Sequence, residues 1–491
     1  MDGSSNLPSN ARWPVLVCPN EIWLETFIHL PRKTLMSLHA VSRLFHQISR
    51  PPLFEELNVH PFQVQEGASS RYSGPHDIER SMKRLEFWTS PAIAPFVRIC
   101  TFSAFLQRTQ TRHDPAPIFA KFFRLLPNLS NLKRFGCVGV KFDRAAVEGL
   151  CALVNLTQVQ LTGCSLQLGE EDLDLTLRVK SFSCANTGGN TLATGAHRWL
   201  NILDRDTLLD LSLPSAPILL QETSSEFLHV QRLLIGFREW AEVLLLSKFP
   251  AVRSLKISWS PSYSSDAVQP RPVLFTQLDT YDGPHEILLF VDPLAAPRCL
   301  NIMPSDPQLL FERLLVLRPV LRAVEQLVLS LHYLRPDVLG GCLASFPILR
   351  ELRLKIYHIY DDTSTPDGEV HTRQTFYDSF ALSSPFPTTL EKLYISWPAR
   401  TPPCPPLTLA SAQSAKDALV QSTNSALKCI WLAALEFEYL WIRRAMTEDT
   451  DHEYTRTSQT AGGRAWLEST MHLELRFLEP QDPFVLRYMS T

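Results

Sequence analysis

The chain has 491 residues, several times the length of one typical domain, and 45% hydrophobic against 20% charged residues argues against wholesale disorder or a membrane-embedded body. Its 47 Lys and Arg against 50 Asp and Glu leave a net charge of -3 with no long single-sign block, so neither nucleic acid nor a membrane is the expected partner. Thirty-seven prolines beside 18 glycines, where about 5% and 7% of a chain are usual, put many stiff breaks in it.

Residues 1–14 read as a flexible leader. Met1 to Asn6 carry no basic segment before an apolar core, and no run approaches the about 18 apolar residues of a membrane span. A soluble protein of the cytoplasm or nucleus is expected. The ten cysteines include no C-x-x-C pair and mostly have apolar neighbours, as small core residues do in a reducing compartment. His113, His197 and His285 are isolated, so no metal and no other cofactor is expected.

Residues 18–49 carry a dense helical pattern that fits three short helices. Pro19 suits the start of the first, where Ile22, Trp23, Phe27 and Ile28 recur at helical spacing, and Pro31 closes it. Leu35 and Leu38 share a face of the second. Ser42 can cap a third that carries Phe45 and Ile48 and is expected to stop at Pro51 and Pro52. So small a unit cannot bury all these side chains internally, so it needs a partner surface.

The register of Pro19, Glu21, Ile22, Leu30, Pro31, Leu35, Leu38, Val41, Ser42, Arg43, Phe45 and Ile48 resembles an F-box, with Cys18 where that family usually has Leu. The resemblance covers about residues 18–50. It implies an F-box domain over 15–60 that docks on a Skp-type adaptor, and through it on a cullin-RING ligase. The adaptor-binding residues it implies are Pro19, Glu21, Ile22, Trp23, Phe27, Ile28, Leu30, Pro31, Leu35, Leu38, Val41 and Phe45. Changing Ile22 and Leu35 together to Asp is then expected to abolish adaptor binding.

Beyond a linker and first cap elements over 61–90, one frame recurs: apolar-x-x-apolar-x-apolar. It appears as Phe54/Leu57/Val59, Val97/Cys100/Phe102, Leu132/Phe135/Cys137, Leu156/Val159/Leu161, Val179/Phe182/Cys184, Leu208/Leu211/Leu213, Val230/Leu233/Ile235 and Val252/Leu255/Ile257. Phe275/Leu278/Thr280 is a degraded copy, and clean copies start at Val324, Leu349, Leu390 and Leu427. From Leu132 to Phe275 the steps are 22 to 29 residues, within the range of leucine-rich repeats. Helical patterns lie between frames, at 145–153, 239–248, 308–323 and 411–426, and Pro127, Pro250 and Pro347 stand just before strand frames.

The expected fold is therefore α/β: a small three-helix F-box, then an irregular leucine-rich-repeat solenoid over 91–491 with parallel strands on the concave face and helices on the convex one. This resembles the repeat domains of many fungal F-box proteins. Long loops are expected near 259–272, 361–373, 398–407 and 447–464. Residues between buried frame positions would face out, and Arg232, Lys256, Asp279, Arg353, Tyr394 and Trp431 are the candidates for holding an unknown protein substrate, since Arg and aromatics are the usual anchors.

The sequence contains no G-x-x-x-x-G-K-[ST], G-x-S-x-G, H-E-x-x-H or G-x-G-x-x-G motif, and no residue takes a catalytic role, so an enzyme is not expected. The resemblance implies the substrate-recognition subunit of a Skp-cullin-F-box ubiquitin ligase. A scaffold that binds the adaptor without serving ubiquitin transfer remains the alternative.

Overall fold

A computed structural model of the chain describes residues 19–59, 75–103, 116–169, 174–185, 196–214, 226–237, 240–259, 274–292, 294–295, 297–305, 307–331, 336–357, 386–397, 408–422, 426–434, 437–443 and 452–457. The chain forms two compact units, Met1–Val230 and Gln231–Thr491.

The first unit opens with three helices, α1 (Asn20–Phe27), α2 (Arg32–His39) and α3 (Arg43–Phe54). Pro19 and Pro31 stand immediately before α1 and α2, where a missing N–H costs nothing. The Ser42 hydroxyl accepts the Phe45 N–H at 3.1 Å and caps α3. Phe27, Leu35, Ile48 and Leu53 form the core of this module, with Trp23, Leu30, Leu38, Phe45 and Phe54 packed against it. Pro51 and Pro52 do not stop α3, which runs through both. Packing overrides the breaks: Leu53 is held in the core, and the Phe54 ring meets Trp88 edge-on at 5.4 Å.

Beyond the module come β1 (Glu56–Val59), α4 (Pro75–Trp88), β2 (Ile99–Ser103), α5 (Ala116–Leu125), β3 (Arg134–Val138), β4 (Lys141–Phe142), α6 (Arg144–Cys151), β5 (Gln158–Thr162), β6 (Ser165–Leu166), β7 (Ser181–Ala185), α7 (Ala196–Ile202) and β8 (Asp210–Leu213). Strands β1, β2, β3, β5, β7 and β8 pair in that order, all parallel. The second and third frame positions fall in register, as in Cys100 opposite Phe135 and Phe102 opposite Cys137, and they are buried. After β3 and β5 the chain turns at Gly139 (φ 71°) and Gly163 (φ 60°), left-handed positions that favour glycine, and the following β4 and β6 pair as a separate short ribbon. Pro127 lies in a 3-10 turn that ends α5, as its place before a frame implies.

The second unit contains β9 (Arg232–Phe237), β10 (Ser254–Trp259), β11 (Thr280–Gly283), β12 (Cys299–Ser305), β13 (Gln326–Leu331), β14 (Glu351–Ile356), β15 (Lys392–Trp397), β16 (Cys429–Ala434), β17 (Phe437–Ile442) and β18 (His452–Thr457). Strands β9 to β16 pair consecutively and in parallel. Helical segments Trp240–Lys248, Pro307–Val316, Arg318–Leu321 and Leu409–Ser422 occupy the stretches where helical patterns are expected. The molecule is thus α/β with a largely parallel sheet. Among the described residues no helix is long and apolar enough to cross a membrane.

Three expectations for this unit change. Leu255 lies opposite Tyr281, so the frame of β11 is Leu278/Tyr281/Gly283, three residues on from Phe275/Leu278/Thr280. A further strand, β12, buries Leu300 and Ile302. Its frame starts at Pro297, whose ring breaks the apolar pattern. Finally, β17 and β18 run antiparallel, so parallel repetition ends at β16 and a strand occupies part of the loop expected at 447–464. The leader 1–14 and the expected loops at 361–373 and 398–407 lie outside the described residues, as do 260–273.

Candidate functional site

Two surfaces carry the residues singled out from the sequence. On the helical module, helix geometry sorts the twelve adaptor candidates into inner and outer sets. Phe27 and Leu35 are 1% and 4% exposed, and Trp23 and Phe45 meet edge-on at 5.1 Å beside Phe27. These four, with Leu30 and Leu38, close the module's own core. They pack inside the module and are not open to a partner, which changes their expected role and removes Leu35 as a surface probe. Pro19, Glu21, Ile22, Ile28, Pro31 and Val41 stay exposed.

Three more apolar side chains, Leu24, Met36 and Leu44, join Ile22, Ile28 and Val41 among the exposed large hydrophobics. Ile22 is 54%, Met36 59% and Val41 66% exposed. The sequence shows the apolar density, but every turn of these helices has apolar residues on two sides, so periodicity alone does not say which side points in. The second side follows from the aromatic contacts of Trp23, Phe27 and Phe45, which fix the rotation of α1 against α3.

On the second unit, strand pairing places Lys256, Asp282, Asn301, Val328, Arg353, Tyr394, Trp431 and Leu440 in one cross-strand row. Lys256 and Asp282 form an ion pair at 2.9 Å. Farther along, the Glu351 carboxylate accepts from the Arg353 guanidinium at 2.6 Å, the guanidinium lies 4.9 Å from the centre of the Tyr394 ring, and Tyr394 meets Trp431 edge-on at 5.8 Å. The structure therefore brings Arg353, Tyr394 and Trp431 together as one cluster. Tyr394 is only 8% exposed, so its ring supports its neighbours instead of standing open to a ligand. The indole N–H of Trp431 is buried and has no hydrogen-bond partner among the described residues, leaving a donor unsatisfied beside Tyr394.

Arg232 is exposed at the first position of β9, in a different row, opposite Ser254. Asp279 is displaced altogether. Its carbonyl accepts the N–H groups of Arg298 and Cys299, as Arg253 accepts those of Asp279 and Thr280, which puts Asp279 one residue before its strand. The three-residue slip in the β11 frame causes this, and Asp282 takes the place expected for Asp279. Asn301 and Leu440 were missed because β12 and β17 do not follow the apolar frame.

No protein-family model matches the sequence, and no curated protein is significantly similar to it. The fold itself defines a class: an α/β protein with a largely parallel sheet built by repeating one strand frame, opened by a compact three-helix module.

Proposed function

We propose that the chain is the substrate-recognition subunit of a Skp-cullin-F-box type ubiquitin ligase, with the helical module binding the adaptor and the second unit offering its cross-strand row to a protein target. One observation carries the reading. The module closes its own core around Phe27, Leu35, Ile48 and Leu53, yet leaves Ile22, Leu24, Ile28, Met36, Val41 and Leu44 exposed within a segment whose order of residues resembles an F-box. Exposed apolar side chains gathered on one small element favour a protein partner. In this role the chain performs no bond chemistry; it holds a target near the transfer enzyme and raises its effective concentration there.

The test is co-purification of the full chain with a Skp-type adaptor. Ile22→Asp combined with Val41→Asp places carboxylates at positions that are exposed in the free protein, so folding is unaffected. Each such side chain contributes about 1.5 to 3 kcal/mol when buried by a partner, so adaptor affinity should fall at least about tenfold. Undiminished binding by the double variant, with thermal unfolding like that of the parent, would sink the reading.

A further inference from the structure

The strand starts of the first unit carry a run of cations that neither the adaptor surface nor the target row uses. Strand pairing gathers it. The Arg98 carbonyl accepts the N–H groups of Lys133 and Arg134 at 2.8 and 3.0 Å, the Lys133 carbonyl accepts that of Thr157 at 2.9 Å, and the Thr157 carbonyl accepts that of Lys180 at 2.9 Å. Arg98, Lys133, Thr157 and Lys180 are therefore neighbours in one row, each one residue before its strand (β2, β3, β5 and β7), and Arg134 is the first residue of β3. The four cations Arg98, Lys133, Arg134 and Lys180 are exposed, and none has an ion-pair partner among the described residues.

Such a row repels itself, because like charges on neighbouring strands disfavour their own alignment. The second unit avoids this by alternating sign along the same row, from Arg253 and Asp279 to Glu391 and Lys428. In the first unit no carboxylate interrupts the row between Arg98 and Lys180. Carboxylates stand only at its ends, with Glu55 and Glu56 at β1 and Asp210 at the start of β8. Within the strip, Gln158 and Ser181 lie opposite each other and half-buried, and neither side chain has a hydrogen-bond partner among the described residues. The strip thus offers four cations, an amide and a hydroxyl, and negative charge closes it on both sides.

We propose that this strip binds a short, extended, carboxylate-rich segment of a partner protein. Neighbouring strands lie about 4.8 Å apart, so the four strand starts span about 14 Å, the reach of about four or five residues of extended chain. A longer polyanion would run onto Glu55 and Glu56 or onto Asp210. The strip contains no aromatic side chain on which a nucleic-acid base could stack. Its ammonium, guanidinium, amide and hydroxyl groups all donate to carboxylate oxygens. The strip belongs to the first unit and the cross-strand row to the second, so it is a separate contact, and it does not require that the chain bind an adaptor.

The test follows the fluorescence anisotropy of fluorescein-labelled hexaglutamate as full-length chain is added at low salt. Saturable binding is expected, and it should weaken as salt rises because the charges are exposed. Lys133→Gln combined with Arg134→Gln should weaken binding about fivefold, and Lys180→Gln alone about twofold. Arg318→Gln combined with Arg322→Gln removes the same charge from exposed positions of the second unit and should leave binding unchanged. All these side chains are exposed, so the variants should unfold at the temperature of the parent. Absence of saturable hexaglutamate binding, or an equal loss in the control pair, overturns the proposal. A phosphoserine hexapeptide or an oligothymidylate that binds where hexaglutamate does not would assign the strip to phosphate groups instead. The chain is measured without an adaptor, so the result stands or falls separately from the ubiquitin-ligase reading.

Discussion

At Gly139 and Gly163 a single residue type determines where the chain may turn. Their φ angles of 71° and 60° lie where a Cβ meets the following carbonyl, at a cost of about 1 to 2 kcal/mol per residue. Gly139→Ala should therefore lower stability by about that amount in urea unfolding, whereas alanine at an exposed helix position should not. His285 makes a second prediction at this scale. Burial of its ring, then Arg313, lowers its pKa to about 4, although the Glu286 carboxylate 3.4 Å away pulls the other way. The folded state holds a neutral imidazole that the unfolded chain protonates near pH 6.5. Its contribution is complete above that value and is lost as pH falls from 6.5 towards 4, at up to about 1.4 kcal/mol per unit. Urea unfolding at pH 7 and pH 5 should show the slope, and His285→Gln should reduce it; an identical slope in the variant would show that other groups supply it.

At the scale of elements, the helical module shows how a correct pattern can leave roles open. The sequence locates three helices and their caps because proline and serine act locally, through φ and a single hydrogen bond. It does not separate Leu35 from Met36, although one is 4% and the other 59% exposed, because that depends on how α1, α2 and α3 rotate against one another. Leu35→Ala should consequently cost about 2 to 5 kcal/mol, read as faster amide hydrogen exchange throughout α1–α3, whereas Met36→Ala should change exchange little. Equal protection in both variants would contradict the inner and outer assignment. The strand frame is more legible, since three apolar positions in six residues state both the strand and its buried face. It fails where chemistry departs from the pattern: at Pro297, at Gly283, and in the antiparallel β17 and β18, whose alternation fits a strand but carries no direction.

Across the second unit, a regularity appears that no single repeat contains. The carbonyl of the residue before each strand accepts two N–H groups from the start of the next strand, through Arg253, Asp279, Arg298, Glu325, Arg350 and Glu391, with Lys428 next in the row. Charge alternates at every step, and Lys428 lies 3.1 Å from Glu391. Opposite charges side by side favour this stacking order over a slipped one, although an exposed pair is worth at most about 1 kcal/mol. Glu325→Lys puts a cation between Arg298 and Arg350 and should destabilise the unit more than Glu325→Gln does, with the difference shrinking at high salt. A difference that persists in high salt would mean that packing, not charge, is responsible. Asp279 belongs to this ladder, one residue before β11, and not to the cross-strand row that holds Lys256 and Asp282.

By itself the sequence determined the α/β class, the helical opening and most of the buried strand positions, because caps, breaks and apolar period act over a few residues and leave a local trace. Tertiary structure decided which apolar side chains of the module face outward, through the rotation of its helices against one another, and that Arg353, Tyr394 and Trp431 form one cluster. The cluster depends on register between strands about 40 residues apart in sequence, and hydrogen bonding across the sheet sets that register, so no single segment carries it.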